Sequence, residues 1–380
     1  MSRTTIPPRV VIRLWVRAGG RCEFPGCPKV LWRDDLTRQD INAAYIAHIV
    51  ADSPDGPRGH PILSLQLAKE FSNLMLMCDE HHTLIDDFPI DYPVDMLQEF
   101  KRKHEQRIEF LTGIDEDKKT HLLFFADNIG NRVPPIAFEQ ARAAVLPRYP
   151  AGVPIQVDLT YSPYRDGEPD YFQRRRDEVS RLIETRVRQR CRTDGIDHLS
   201  IFALAGIPLL MHFGCEIGDT IPSDVYQYHR DLCSWSWCAP SEQETKYIVS
   251  VPELEEAGGY RDVALNLSLS GVVHDQVIAA AMTGRYCTYK VTVPEPSRVY
   301  LRSKQQLDSF AQTMRSLFAR IRAAHGADCR IHVFPAIPAP IAVRFGQVML
   351  PKSDPSMLVY ENHENNGGFL YALTIPRREL

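Results

Sequence analysis

The sequence lacks any long apolar run. No stretch of about 18 consecutive apolar residues occurs, which excludes a transmembrane helix of ordinary length. The first residues, MSRTTIPPRVVIRLW, also lack the apolar region and the small-residue cleavage site of a secretory signal. From these two absences we expect a cytoplasmic protein with no membrane partner.

The sequence also has no strong excess of one charge. Its 44 Lys and Arg stand against 48 Asp and Glu, for a formal net charge of -4. Bulk charge therefore does not predict a nucleic-acid surface, and any basic surface must be local. With 44% hydrophobic and 24% charged residues the composition is that of a globular protein. A chain of 380 residues exceeds the usual size of a single core, which predicts two domains.

No disulfide framework is indicated by the nine cysteines, because their number is odd and their spacing uneven. Cys22 and Cys27 occur in CEFPGC, and Cys78 and His81 follow further along in CDEHH. Three thiolates and an imidazole form a tetrahedral set suited to structural Zn²⁺. In a segment too short to hold its loops by core packing, such a zinc ion would contribute folding free energy directly. The alternative is a set of unconnected thiols.

A second cysteine pair, Cys233 and Cys238 in CSWSWC, has the same number of intervening residues as the first pair. Here Trp235 and Trp237 alternate with serines, a pattern that favours a strand over a metal site.

Residues suited to phosphodiester hydrolysis lie next to the first Cys and His set. His48 occurs in AHIVADSPDGPRG, and Asn73, His82 and Asp86 occur in NLMLMCDEHHTLID. Hydrolysis needs an activated water, for which a neutral imidazole is suited, and a cation that neutralises charge on the phosphate and the departing 3′-oxygen. Taken alone, His48 would be interpreted as a structural histidine, and only the combination of residues favours a catalytic one.

These motifs resemble the HNH nuclease family over roughly residues 21 to 107. The resemblance implies an α+β, zinc-stapled ββα-metal fold that cuts DNA. It makes His48 the general base, Asn73 the residue that orients the loop holding it, and His82 the ligand of a catalytic Mg²⁺ or another divalent ion.

One position departs from the family pattern. Many members carry Asp or Glu directly before the base, where this sequence has Ala47. Asp86 or a substrate phosphate is then left to complete the ligand sphere of the catalytic ion. His81 and His82 are adjacent but would bind different metals, His81 the structural zinc and His82 the catalytic ion. Three basic residues are candidates for DNA phosphate contacts, although ordinary surface solvation is the alternative for each: Arg58, Lys69 and Lys101.

The sequence predicts two domains joined by a connector. Pro93 is placed to begin a helix that runs to Thr112, and Gly113 to end it. We assign residues 1–113 to the nuclease domain, 114–154 to a linker rich in charge and proline, and 155–380 to a second domain.

Beyond the linker, strand and helix patterns alternate, which favours an α/β fold. Strands are predicted at 155–161, 198–205, 264–270 and 330–334, and long helices at 171–191 and 304–325. Phe202, Pro208, Phe213 and Gly214 recur 132 positions later as Phe334, Pro340, Phe345 and Gly346. We interpret this recurrence as two Rossmann-like halves in one domain, with chance use of a common strand and helix pattern as the alternative.

Two such halves form a crevice at the carboxyl ends of their strands, where helices opened by Pro208 and Pro340 point N–H groups at an anionic, nucleotide-like ligand. The stretches GIPLLMHFGCEIGDTIPSDVYQYHR, LSLSG and HVFPAIPAPIAVRFGQVMLPK resemble the SAVED domain, a fused pair of CARF-like halves. The order HNH then SAVED resembles effector nucleases of bacterial CBASS antiphage signalling.

That resemblance implies a cyclic di- or trinucleotide activator and a homo-oligomer formed or enlarged on activation. Candidate ligand-binding residues are Tyr161 and Trp237 for base stacking, Ser270 and Gly271 at a strand end, and Arg344 and Lys352 for phosphate. For either aromatic residue alone, core packing is the alternative.

The sequence thus predicts a cyclic-oligonucleotide-activated, metal-dependent endonuclease that degrades double-stranded DNA. Two other functions stay open. One is a restriction-type HNH nuclease whose second domain recognises modified DNA, which would cut without added nucleotide. The other is a non-catalytic zinc module that only binds DNA or protein, although such a module needs neither His48 nor His82.

Overall fold

A computed structural model describes residues 4–27, 29–129, 134, 136–161, 164, 168, 170–239, 246–252, 260–363 and 368–377. The chain divides into two compact units, Met1–Glu116 and Asp117–Leu380. The boundary predicted at residue 113 lies near this division. We call the two parts the amino-terminal unit and the carboxyl-terminal unit.

The amino-terminal unit contains an antiparallel pair of strands, β1 (Tyr45–His48) and β2 (Leu74–Met77), followed by a helix. Its helices are α1 (Pro8–Arg17), α2 (Leu63–Leu67), α3 (Asp79–Asp87) and α4 (Val94–Thr112), with a 3₁₀ turn at Phe71–Asn73. All four β2 residues are buried, so this short strand forms the centre of a small core. The helix predicted from Pro93 to Thr112 is confirmed, with Pro93 at its N-cap and Gly113 at its C-cap.

The carboxyl-terminal unit is a mixed α/β structure. Its strands are β3 (Lys119–Ala126), β4 (Tyr149–Pro150), β5 (Ile155–Asp158), β6 (Leu199–Leu204), β7 (Ser223–Tyr226), β8 (Ile248–Ser250), β9 (Asp262–Ser268), β10 (Tyr286–Thr292), β11 (Arg330–Ala336), β12 (Ser356–His363) and β13 (Gly368–Ile375). Its helices are α5 (Phe138–Ala144), α6 (Tyr171–Leu182), α7 (Gln189–Thr193), α8 (Ile207–Ile217), α9 (Asp275–Ala281), α10 (Lys304–His325) and α11 (Ala339–Val348), and a π-helical stretch, Ile183–Arg188, joins α6 to α7.

The strands form two sheets with matching order. In the first sheet, β4 and β5 pair with one side of β3, and β6 and then β7 follow on the other side, all parallel. In the second sheet, β10 and β11 flank β9 and β12 lies beyond β11, all parallel, with antiparallel β8 and β13 at the edges. Among the central parallel strands, β5 and β6 lie on opposite sides of β3, and β10 and β11 lie on opposite sides of β9. This is the strand order of flavodoxin-like folds.

The predicted linker at 114–154 needs correction. Its residues Lys119–Ala126 form β3, the first strand of the first sheet, and Phe138–Ala144 form α5. Leu123 and Phe125 are fully buried in the main core. This segment therefore belongs to the carboxyl-terminal unit, because without β3 the strands β5 and β6 would have no partner between them.

The internal repeat is confirmed, but with a different pairing of strands. The structural counterpart of β3 is β9, and that of β5 is β10. The strands predicted at 155–161 and 264–270 are therefore not equivalent in the two halves, and the sequence analysis missed β10 altogether. The remaining pairs agree with the prediction: β6 with β11, and the proline-opened helix α8 with α11.

Two glycines of the repeat allow these proline-opened helices to cross at close range. A Cβ placed on Gly214 would lie 2.0 Å from the Val343 carbonyl oxygen, and one on Gly346 would lie 2.0 Å from the Met211 carbonyl oxygen. Val343 and Gly346 follow Met211 and Gly214 by the repeat distance of 132 residues, so the contact is reciprocal. Since any side chain would clash with backbone, glycine is required at both positions to bring the two halves together.

Candidate functional site

The predicted metal ligands come together in the amino-terminal unit. The ligand atoms of Cys22, Cys27, Cys78 and His81 all lie within 4.8 Å of one another. Cys78 is the N-cap of α3, and its sulfur lies 3.0 Å from Nδ1 of His81, one helical turn later. The Cys22 sulfur lies 3.7 Å from the same nitrogen. The loop after α1 and the start of α3 thus each supply two donors.

This donor set fits a tetrahedral zinc ion. Zinc bonds of about 2.3 Å to sulfur and 2.0 Å to nitrogen place neighbouring ligand atoms roughly 3.5 to 3.8 Å apart. Burial raises the pKa of the Cys22 thiol to about 12, so a bound cation is what would favour its thiolate form. In the described part of the chain no other His, Cys, Asp and Glu group of this kind occurs, and Cys233 and Cys238 form none.

His48 occupies the last position of β1. Its Nε2 lies 3.0 Å from the Ala68 carbonyl oxygen. A carbonyl only accepts, so Nε2 carries the proton and the neutral ring leaves a lone pair on Nδ1. Ala47, the preceding residue, points into the core and is 1% exposed. The position where the family carries an acidic residue therefore supplies no ligand here.

Asn73 bonds the backbone on both sides of the loop between β1 and β2. Its Oδ1 accepts from the Val50 N–H at 2.8 Å, and its Nδ2 donates to the Val50 and Leu67 carbonyls at 2.9 and 3.2 Å. The side chain is almost fully buried. Asn73 therefore holds the chain on both sides of the loop that contacts His48.

His82 and Asp86 lie one turn apart on α3, with Nε2 of His82 3.8 Å from Oδ2 of Asp86. The His82 ring also packs against Tyr45 on β1, with centroids 5.2 Å apart. The other Asp86 oxygen, Oδ1, accepts from Nη2 of Arg58 at 2.8 Å. Asp86 is thus already paired, and sequence reasoning missed the arginine that pairs it.

For Arg58 and Lys101 neither candidate interpretation holds, phosphate contact or surface solvation, because both side chains are buried. The Arg58 side chain is 4% exposed and bonds backbone carbonyls as well as Asp86. Lys101 lies 2.6 Å from Glu105 and stacks on the Phe71 ring at 4.0 Å. Neither side chain is solvated or free to reach a DNA backbone.

In the carboxyl-terminal unit, the carboxyl ends of the parallel strands lie where a ligand crevice is expected. Ser270 and Gly271 lie two and three residues after the end of β9, and the Ser270 N–H donates to the Ala336 carbonyl at the end of β11 at 2.8 Å. These two strands are the first and third of their half, so Ser270 lies at the topological switch point. A Cβ on Gly271 would meet nothing within 4 Å, which leaves the edge open there.

The corresponding edge of the first half is closed by a buried ion pair. Asp127 follows β3 and lies 3.0 Å from Nη2 of Arg175 on α6, and both side chains are 0% exposed. Tyr171 donates to the same carboxylate at 2.9 Å. Burial raises the pKa of Asp127, and the Arg175 guanidinium opposes that rise. The two halves therefore differ at equivalent positions, and no sequence pattern pointed to this pair.

The two candidate aromatic residues differ in exposure. Tyr161 follows β5 and is 92% exposed. It borders an open cavity of about 650 Å³ that is also lined by Arg174, Arg181 and three carboxylates. Trp237 is half-buried and packs against the core, with its ring 5.9 Å from that of His229. Tyr161 is accessible to a ligand, whereas Trp237 contributes to packing.

Neither Arg344 nor Lys352 is an exposed side chain at the open edge. The Arg344 side chain is 14% exposed on α11, with Nη2 3.8 Å from Asp308 on α10, and burial lowers its pKa. Lys352 lies between the end of α11 and the start of β12. A helix that connects parallel strands runs back to their amino ends, so Lys352 is at the opposite end of the sheet from the crevice.

Together the two sheets, each with a parallel centre and related by the internal repeat, define a doubled Rossmann-like fold. The family model for the SMODS-associated and fused to various effectors sensor domain, SAVED, matches residues 179–375. The chain belongs to the SAVED family.

Among solved structures, the Cap4 SAVED/CARF-domain containing receptor of Acinetobacter baumannii with the cyclic trinucleotide 2′3′3′-cAAA has 10% identity and a TM-score of 0.43, covering 78% of this chain and 66% of that one. The Moraxella osloensis Cap4 receptor has 9% identity and a TM-score of 0.42, covering 77% and 60%. The chain spans less than two thirds of the length of these receptors. No curated protein matches. Within the described residues, no helix has the length and apolarity needed to cross a bilayer.

Proposed function

We propose that this protein is a DNA endonuclease of the HNH type, switched on by a cyclic oligonucleotide that binds its SAVED domain. The observation that carries the nuclease assignment is the combination, in one small unit, of a four-donor set with three further residues. His48 ends β1, Asn73 directly precedes β2, and His82 follows the last donor on α3. A purely structural zinc module would need the four donors but not the carbonyl-anchored His48.

In this proposal His48 acts as the general base. Its Nδ1 lone pair takes a proton from water, and the water oxygen forms a bond to phosphorus. The bond from phosphorus to the 3′-oxygen breaks, and the departing oxygen takes a proton from solvent. His82 would hold a divalent cation, which when bound supplies positive charge against the phosphate and the 3′-oxygen. Asn73 and the Ala68 carbonyl keep the imidazole in its productive orientation.

The sensing half of the proposal rests on family membership and on the open carboxyl edge. A cyclic di- or trinucleotide would lie across the strand ends near Ser270 and Gly271, with the N-termini of α8 and α11 directed at its phosphates. We assign no phosphate contact to Arg344 or Lys352, since one is buried and the other lies at the far end. Activation would work through preferential binding to one assembly state, a homo-oligomer formed or enlarged by the ligand.

The direct test is cleavage of plasmid DNA by the full chain with Mg²⁺ or Mn²⁺, with and without cyclic di- and trinucleotides. We expect cutting that needs both a nucleotide and His48, so that His48→Ala is inactive. His104→Ala is a matched control, since that ring on α4 contacts only the Ala18 carbonyl. Cutting without nucleotide would favour a restriction-type nuclease. No cutting by wild type with any member of the panel would favour a binding module.

A further inference from the structure

Arg58 is a buried guanidinium in a loop that the sequence presents as an exposed turn. It lies in DSPDGPRG, between β1 and β2, and its side chain is 4% exposed. Its backbone adopts φ of 57°, a value that residues other than glycine seldom take. A buried arginine held in such a conformation indicates that the surrounding structure fixes it in place.

The guanidinium joins the two elements that carry the candidate catalytic histidines. Toward β1, Nε donates to the Ile49 carbonyl at 2.8 Å and Nη2 to the His48 carbonyl at 3.4 Å. Toward α3, Nη1 donates to the Ile85 carbonyl and Nη2 to Asp86 Oδ1 at 2.8 Å. Arg58 therefore connects the end of β1, which bears His48, to the last turn of α3.

The Asp86 contact extends this connection to His82. With Oδ1 held by Arg58, the carboxylate turns Oδ2 toward Nε2 of His82 at 3.8 Å. A histidine that binds a metal through one ring nitrogen commonly directs the other at a carboxylate, which fixes the ring. Asp86 is positioned for that orienting role, and Arg58 keeps it there.

We propose that Arg58 and Asp86 are positioning residues, which set His82 for ion binding and fix its spacing from His48, and that Asp86 is not itself an ion ligand. This inference rests on the proposed nuclease function. Of the two groups that the sequence left to complete the ligand sphere of the catalytic ion, it favours the substrate phosphate over Asp86. Arg58 acts through Asp86 on one side and through the backbone of β1 on the other.

The test is the sign of a change in Mn²⁺ affinity. Arg58→Gln releases the Asp86 carboxylate from its partner. If Asp86 orients His82, the released carboxylate no longer holds one position and the His82 ring is less well oriented. The Mn²⁺ dissociation constant then rises by about 10-fold or more, the usual loss of affinity when such a supporting residue is changed. If Asp86 is an ion ligand for which Arg58 competes, the dissociation constant falls, and the proposal is wrong.

Mn²⁺ binding to the zinc-loaded full chain is followed by electron paramagnetic resonance, and binding that persists in His82→Ala is subtracted. Arg102→Gln, an exposed arginine on α4 paired with Glu99, is the matched control and should leave the constant unchanged. Arg58→Lys keeps the charge but cannot form the fork, so we expect only partial recovery. The double variant Arg58→Gln with Asp86→Asn should lose less Mn²⁺ affinity than the sum of the losses in the two single variants, because both residues act on His82 through the same contact.

Zinc content and melting temperature show whether each variant is folded. If Arg58→Gln loses its zinc, the same comparison is made with Arg58→Lys, for which a lower Mn²⁺ affinity supports the proposal and a higher one overturns it. A wild-type chain with no His82-dependent Mn²⁺ site would contradict the ion assignment of the proposed function as well. An intact site that is indifferent to Arg58 would contradict this inference alone.

Discussion

The two units differ in what holds their functional parts in place. In the amino-terminal unit polar contacts position the candidate catalytic residues, whereas in the carboxyl-terminal unit close packing of two helices brings the two halves together. Arg58 and Asn73 bond the backbone around His48. By contrast, α8 and α11 cross through Gly214 and Gly346. Phe213, next to Gly214 on α8, stacks on Phe125 of β3, with ring centroids 4.4 Å apart.

The difference follows from size. A unit of 116 residues buries a smaller fraction of its surface than one of 264, so its long loops need cross-links. The larger unit has enough buried apolar surface to hold two sheets without them. Loss of one polar or metal contact should therefore affect the amino-terminal unit most, and a packing change the other.

The largest expected effect comes from the metal cluster. Cys78→Ser should abolish stoichiometric zinc and unfold the amino-terminal unit, because structural zinc supplies on the order of 10 kcal/mol to such folds. The carboxyl-terminal unit should stay folded. Metal analysis and limited proteolysis measure the two effects. Cys233→Ser, an exposed thiol in the other unit, is the control. Full zinc content with unchanged protease resistance in Cys78→Ser would contradict the cluster.

The helix crossing gives the next effect. Gly214→Ala should destabilise the carboxyl-terminal unit by about 3 kcal/mol, because the new methyl group meets the Val343 carbonyl and the helices must separate. Gly271→Ala, where the methyl group meets only open space, should change stability by less than about 0.5 kcal/mol. Urea denaturation followed by far-ultraviolet circular dichroism measures both. Equal stability of the two variants would mean that the crossing is not tight.

Two neighbouring lysines on α4 compare a buried with an exposed charge in the amino-terminal unit. Lys101→Ala should cost about 3 kcal/mol, because the buried Glu105 and Glu23 carboxylates both lose its ammonium group, and Glu105 keeps only the longer contact with Arg17. Lys103→Ala should cost less than about 0.5 kcal/mol, since its side chain is 69% exposed. Chemical denaturation checks the pair. If Lys101→Ala instead weakens DNA binding and leaves stability unchanged, the buried placement is wrong.

Acid should weaken the carboxyl-terminal unit through His212, a buried residue of α8. Burial lowers its pKa to about 4 from an ordinary 6.5, against the opposing effect of Glu216, with Arg176 and Asp177 facing it from α6. The unfolded chain therefore binds the proton first as pH falls. About 2 kcal/mol should be lost between pH 7 and pH 5. His212→Gln should reduce this dependence, as measured by urea denaturation at several pH values, and an unchanged slope would contradict the assignment.

The repeat was predictable because glycine and proline are required at fixed backbone positions. Gly214 and Gly346 admit no side chain, and Pro208 and Pro340 open their helices. The strand Lys119–Ala126 was missed because it lies between a charged segment and a proline-rich one, which together resemble a linker. Local sequence does not show that a strand between two such segments is inserted into the middle of a sheet.

Within the site, the clustering of the three cysteines and His81 was predictable from residue type and spacing. Arg58 was not, since the same letters describe a solvated turn residue and a buried guanidinium, and only its four acceptors in space distinguish them. Lys352 was wrongly expected at the ligand crevice, because local sequence does not show where a residue lies in the fold. Its position near a glycine and proline motif says nothing about which end of the sheet it reaches.

The central proposal, that one unit senses and the other cuts, is tested most directly by measuring nucleotide binding and DNA cleavage on the same chain. Calorimetry gives the affinity for each cyclic nucleotide, and plasmid cleavage with Mn²⁺ gives the concentration needed for cutting. We predict that the two concentrations coincide for the activating nucleotide, and that His48→Ala binds it equally well but does not cut. Cleavage by wild type that ignores a bound nucleotide, or cleavage that survives His48→Ala, would contradict the proposal.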